Sequence, residues 1–187
     1  MKTKFLGLFV FINITMTAQE KLSYYEIPEA PETFTAGTVA AILIDGLGFR
    51  FYWSTEGLKP TDLAYKLTEE SRTTEETIQH IYSLSKTIVN ATLKQANTRE
   101  QAPKLSFEEK RKQTLLNFKT AADILRTSDD ISQFKIIFGD KEIPFWNEIN
   151  GPIADAIWHC GQLASFRRAS GNPINSNVNH FSGTIKK

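Results

Sequence analysis

Residues 151–173 read GPIADAIWHCGQLASFRRASGNP. Apolar residues recur along them at helical spacing, and Gly171-Asn172-Pro173 supplies the residues that end a helix. Within this stretch Asp155, His159 and Gln162 stand four and then three residues apart. A helix advances about 100° and 1.5 Å per residue, so Asp155 and His159 lie about 40° and 6 Å apart on one face. A polar line on an otherwise apolar, tryptophan-bearing helix has two readings. It faces water as a hydrogen-bonded pair, or it lines a buried pocket.

A helix of this kind needs partners, and three further stretches offer themselves. AGTVAAILIDGLGFRFYWST is apolar on most faces around Val39–Ile44, which suits a helix over 35–56 largely buried among others. Gly46 and Gly48 within it imply a close approach or a bend. After the Lys59-Pro60-Thr61-Asp62 break, the pattern predicts a second helix over 70–95. It is capped by Thr73 with Glu76, which have the capping-box spacing, or by Ser71 with Thr74. Pro103 closes the next loop, and a third helix over 106–128 starts at Ser106 with Glu108 and Glu109 in its first turn. Its apolar side is read as Leu115, Leu116, Phe118, Ala122, Ile124 and Leu125. Short β-branched and aromatic FKIIF and the turn residues Gly139-Asp140-Lys141 mark a connector with room for a small strand pair. The last helix is expected over 147–169. The fold class that follows is all-α, a four-helix bundle with a short extended connector before its last helix.

His80 stands in the middle of the second helix, among Ile78, Ile81 and Leu84, and is the only other histidine in the helical body. Facing helices of a bundle build metal sites in this way, so His80, Asp155 and His159 form one candidate ligand set. His180, in the segment NSNVNHFSG, reads as a solvated residue. Cys160 is rotated about 100° from His159 and reads as a packed thiol. Glu76 is a cap or surface residue, with a general-base role as the alternative. Arg167 and Arg168 suit the negative end of the helix dipole; the functional alternative has Arg167 holding an anionic substrate group. Trp53, Trp146 and Trp158 are expected to pack the helices, with one of them free to line a pocket.

TEESRTTEETIQHIYSLS (residues 68–85), followed much later by residues 151–173, resembles the DinB/YfiT-like superfamily of four-helix-bundle proteins, many of which carry a divalent metal. The resemblance covers about Thr35 to Pro173. In that family one histidine comes from the second helix and a His-x-x-x-His pair from the last, often followed by Gly-Gln. Here the first falls on His80, and the last on His159 with Gly161-Gln162 after it, while Asp155 holds the place of the middle histidine. The resemblance thus implies a divalent ion, zinc, nickel, manganese or iron, on His80, Asp155 and His159, and Gln162 orienting a ligand or water. It implies a small-molecule hydrolase or a thiol or group transferase, the substrate itself unspecified, and a homodimer as a possible assembly. The competing reading is a non-catalytic small-molecule-binding or dimeric interaction protein, in which the Asp155 replacement has abolished tight metal binding.

The rest of the chain sets limits. At 187 residues and a formal net charge of +1, it is long enough for one domain, and no basic field points to nucleic acid. MKTKFLGLFVFINITMTA has two lysines, an apolar run over Phe5–Ile14, and small and polar residues after it, the layout of a secretory signal peptide over 1–18. The run is too short for the roughly 20 residues of a membrane span, so no stable membrane anchor is expected. The expected organisation is this signal peptide, an extended lead-in over 19–34, the bundle over 35–173 and a tail over 174–187. The destination is secreted or periplasmic. A single cysteine leaves no internal disulfide, and the acceptor-like Asn90-Ala91-Thr92 falls inside an expected helix.

Overall fold

The computed structural model describes residues 22–98 and 104–186; the expected signal peptide lies outside them. The chain is mostly helical. Its elements are α1 (Ala36–Thr55), a single turn α2 (Pro60–Leu63), α3 (Thr74–Thr92), α4 (Phe107–Arg126), the hairpin β1 (Lys135–Phe138) and β2 (Lys141–Pro144), α5 (Phe145–Glu148), α6 (Ala154–Ala169), and a second hairpin β3 (Val178–Asn179) and β4 (Thr184–Ile185). Helix α1 packs on α4 and α6, and α3 packs on the same two, so the four long helices close a ring around the core. Phe49, Phe51, Phe118, Ile44, Leu47, Ile78, Ile81, Leu115, Leu125 and Leu163 fill it with essentially no exposure.

Three of the long helices start where side chains satisfy free N–H groups. Thr35, Thr73 and Ser106 each form a capping box, with Thr38, Glu76 and Glu109 respectively. Thr73, not Ser71, therefore begins α3. Glu76 Oε2 accepts from the Thr73 N–H at 2.8 Å, and this backbone hydrogen bond holds its pKa below the ordinary range. Glu76 is a cap. Within α4 the buried apolar residues are Leu115, Phe118, Ala121, Ala122 and Leu125, which recur at helical spacing. Leu116 corrects the sequence reading: one residue off that line, it is 49% exposed.

Two glycines in α1 mark close approaches. A Cβ on Gly37 would stand 2.3 Å from the Leu125 carbonyl oxygen, where α1 meets the end of α4. One on Gly48 would stand 2.5 Å from the Tyr24 ring, so the lead-in, not a helix bend, explains this glycine. Tyr24 itself has φ 72°, and its hydroxyl donates to the buried Asp45, which is also paired with Arg126 at 2.8 Å. The segment beyond Pro173 also returns to the body: Ile174, Val178 and Ile185 pack on the core, and Gly183 accepts from the Ile27 N–H.

The largest departure from the sequence reading concerns the last helix. Instead of one α-helix from residue 147, the chain makes the short α5, a π-helical segment over Ile149–Ile153 and then α6. Pro152 lies inside that segment. It has no N–H and its ring crowds the carbonyl four residues back, and a wider turn absorbs both demands without ending the helix. The backbone at Glu148 and Ala154 stays right-handed helical, so the segment links the two pieces without a break. In an unbroken α-helix Glu148 would lie about 20° from Asp155; the π segment shifts that register immediately before Asp155.

Candidate metal centre

His80 comes from α3, whose fully buried Ile78 and Ile81 seat the helix against the core. Asp155 and His159 come from α6, one turn apart and on the side that packs on α3. The His80 Nε2 to Asp155 Oδ2 distance is 3.0 Å, and His159 Nε2 lies 3.4 Å from Asp155 Oδ1. The two imidazole rings meet edge to face, centroids 4.7 Å apart and planes at 89°. One ligand atom from each of the three residues lies within 4.8 Å of the others. The side chains are 30%, 39% and 18% exposed for His80, Asp155 and His159, so the cluster is partly desolvated yet reachable from solvent.

This geometry places both Nε2 atoms against one carboxylate. A nitrogen lone pair and a carboxylate oxygen repel each other unless a proton or a cation lies between them. For His159 the other ring nitrogen is committed: Gln162 Oε1 lies 2.9 Å from Nδ1 and accepts its proton. In the neutral ring the lone pair is then on Nε2, facing Asp155. The sequence reading has Gln162 orienting a ligand or water; in the structure its side chain meets the His159 ring.

The donor set fits a small divalent ion. One donor atom from each residue lies within 4.8 Å of the others, the closeness that three ligands of one ion require. Two imidazoles and a carboxylate suit zinc, nickel, manganese or iron better than a thiolate-seeking ion. Cys160 adds nothing to the set. It is 3% exposed in the core, and burial pushes its thiol pKa up to about 12.

Other candidates stand elsewhere. Arg167 corrects the reading that it holds a substrate anion. Its guanidinium is buried and donates to the carbonyls of Trp53 (3.0 Å), Glu56 (2.7 Å) and Asn172 (2.7 Å), and to Asn172 Oδ1. That use ties the end of α6 to the end of α1 and leaves no edge for a ligand. His180 is away from the cluster and rests edge-on against Phe49, where desolvation, Arg50 and Arg168 lower its pKa. Of the tryptophans only Trp53 packs the core; Trp146 and Trp158 are 63% and 79% exposed.

Sequence reasoning missed Glu148. It is wholly buried, neither side-chain oxygen has a hydrogen-bond partner, and burial pushes its pKa up to about 8. The signal for it was its place seven residues before Asp155, but only the π segment decides that it is turned into the core. Scans of this chain against protein-family models, curated proteins and solved structures find no match.

Proposed function

We propose that this chain is a divalent-metal protein of the DinB/YfiT-like kind, with His80, Asp155 and His159 as its ligands and hydrolysis or group transfer on a small molecule as its activity. One observation carries the reading: three ligating side chains from two helices bring their donor atoms within 4.8 Å of one another with no cation from the chain between them. The closed ring of α1, α3, α4 and α6 supports the four-helix-bundle part of the proposal. Gln162 supports it further, by leaving the His159 lone pair on Nε2.

A metal held here supplies Lewis acidity, polarising a carbonyl or lowering the pKa of a bound water to about 7. The chain's own residues do the rest. Asp155 sets the charge of the site and its preference for harder ions, and Gln162 holds the His159 ring. The packed α3–α6 interface keeps His80 in place from the opposite side. No further acid or base is assigned, because Glu76 is a cap and Cys160 is buried as a thiol. The same proposal has the protein exported after removal of residues 1–18.

The deciding experiment is elemental analysis of the purified full-length product, before and after a chelator, with His159→Ala alongside. About one equivalent of a transition metal, lost on chelation and missing from the variant, is the expected result. The same metal content in His159→Ala rejects the site. Intact mass of the protein recovered outside the cytoplasm tests the export step, and an uncleaved chain found only in the cytosol rejects it.

A further inference from the structure

The site has a neighbour that the ligand set does not use. A groove of about 470 Å³ opens beside Asp155, walled by Leu84, Pro152, Ala154 and Trp158, with Asn150 and Gly151 completing it. Its position follows from helical spacing. Leu84 stands one turn beyond His80 on α3, and Trp158 three residues beyond Asp155 and next to His159 on α6, so both walls belong to the helices that carry the ligands. The third wall is the π segment, where the wider turn presents Pro152 and where a Cβ on Gly151 would meet nothing within 4 Å.

Two features identify what such a groove would take. The first is Trp158: 79% exposed, its indole buries little in this fold, although it sits beside the ligands. An aromatic face left uncovered next to a polar centre is a stacking surface for a planar or branched apolar group. The second is charge. Among the described residues Asp155 is the only ionisable one in the lining, and its oxygens are already turned toward the two imidazoles. No lysine or arginine lines the groove to favour an anionic group, and Asn150 offers a neutral amide at its far side.

We infer that this groove is the substrate-side subsite of the centre, and that the substrate is an uncharged small molecule carrying an aromatic or branched aliphatic group next to a carbonyl-type head. The head reaches the His80–Asp155–His159 cluster and the apolar group lies on Trp158 and Leu84. This assignment rests on the metal-centre reading, and the test keeps the two apart.

Two hydroxamates serve as probes of the zinc-loaded protein, since both chelate the ion and they differ only in the attached group. Benzohydroxamic acid should bind about tenfold or more tighter than acetohydroxamic acid, a margin that burial of one phenyl ring readily gives. In Trp158→Ala and Leu84→Ala that preference should fall below about threefold, the zinc content and the acetohydroxamic acid affinity remaining those of the parent. A parent protein that holds zinc but binds both probes equally overturns the subsite, as does a preference that survives in Trp158→Ala. Metal-free protein supplies the second arm: benzamide should shift the Trp158 indole resonance, assigned with Trp158→Phe, and acetamide should not. If zinc does not bind yet benzamide shifts Trp158, the metal reading fails and the subsite stands. If benzamide leaves Trp158 unmoved in protein that also holds no zinc, both fail.

Discussion

The two ends of α6 handle charge in opposite ways. At its C-terminal end Arg167 brings a buried cation, and the chain surrounds it with the carbonyls of Trp53, Glu56 and Asn172. Asp62 is matched there too: its oxygens accept from the Lys59 N–H, Asn172 Nδ2 and Ser170 Oγ. Desolvation works to raise its pKa, yet these hydrogen bonds hold it below the usual range. Within the first turn and a half of its N-terminal end, Asp155 and two imidazoles converge, and among the described residues the ion pairs of Asp155 run to those histidines. The first cluster is complete as the chain supplies it; the second is complete only when a proton or a metal ion joins it. That difference separates a polar cluster that builds the fold from one that could hold an ion.

The largest effects should come from removing the receiving groups. His80→Ala and His159→Ala should each lose most of the bound metal, because two protein ligands hold an ion far less tightly than three. Metal-free stability should change by no more than about 1 kcal/mol, as expected for partly exposed side chains outside the core. Asp155→His should keep the metal, since imidazole suits zinc and nickel as well as a carboxylate does. Thermal denaturation with and without added zinc reads all three: the melting temperature should respond to zinc in the parent and in Asp155→His and not in the alanine variants. A zinc response that persists in His80→Ala would break the comparison at its receiving end.

Arg167→Ala tests the other end. It strands the carbonyls the guanidinium now serves, and loss of a buried, multiply bonded cation costs about 3 kcal/mol or more. Urea denaturation should show the loss, and zinc content per folded molecule should be unchanged. A folded Arg167→Ala protein of parental stability that no longer binds zinc would return Arg167 to the site.

Glu148 sharpens the contrast, being a carboxylate given neither a cation nor a hydrogen bond. Its pKa is raised from 4.5 to about 8. The folded state therefore holds a proton that the unfolded chain has already released, and the stability this group allows is lost as pH rises from about 4.5 through 8. Glu148→Gln should remove that loss. The variant should gain about 2 kcal/mol or more relative to the parent at pH 9 and little at pH 5, measured by urea denaturation at the two values. Equal effects at both pH values would mean that Glu148 ionises in the folded chain as it does in the unfolded one.

Much of this was legible in the chain itself. Thr73 with Glu76 and Ser106 with Glu109 announced two helix starts through local chemistry, and the period-3.6 pattern of α4 gave its buried face. The clustering of His80, Asp155 and His159 was legible because Asp155 and His159 are one helical turn apart, so any helix there unites them, and His80 needed only a neighbouring helix. What could not be read is non-local or depends on a register. Leu116 and Trp158 look like core residues by composition, and only the packed rotation of their helices leaves them exposed. Arg167 looked free because its partners on α1 lie more than 100 residues away in sequence. Pro152 falls inside the stretch read as one helix over 147–169, whereas the structure sets it in a π turn just before Asp155.

The smallest expected effect is the most specific to the receiving cluster. Gln162 touches no expected ligand position; it accepts the His159 Nδ1–H at 2.9 Å and so decides which nitrogen carries the lone pair. Gln162→Leu keeps the approximate size and removes the acceptor, so the ring gains both rotational freedom and the wrong tautomer. Zinc affinity should fall about 10- to 100-fold, the usual cost of losing such an outer partner, while the site still fills at saturating metal. Gln162→Glu should restore or exceed the parental affinity, because a carboxylate accepts the same proton more strongly and raises the basicity of Nε2. Competition against a chromophoric zinc chelator gives the affinities, and the Nδ1–H proton resonance of His159 shows whether the bond is kept. A Gln162→Leu protein with full affinity and that resonance unchanged would mean that packing alone orients His159. The difference between the two ends of α6 would then rest on the three ligands without their support.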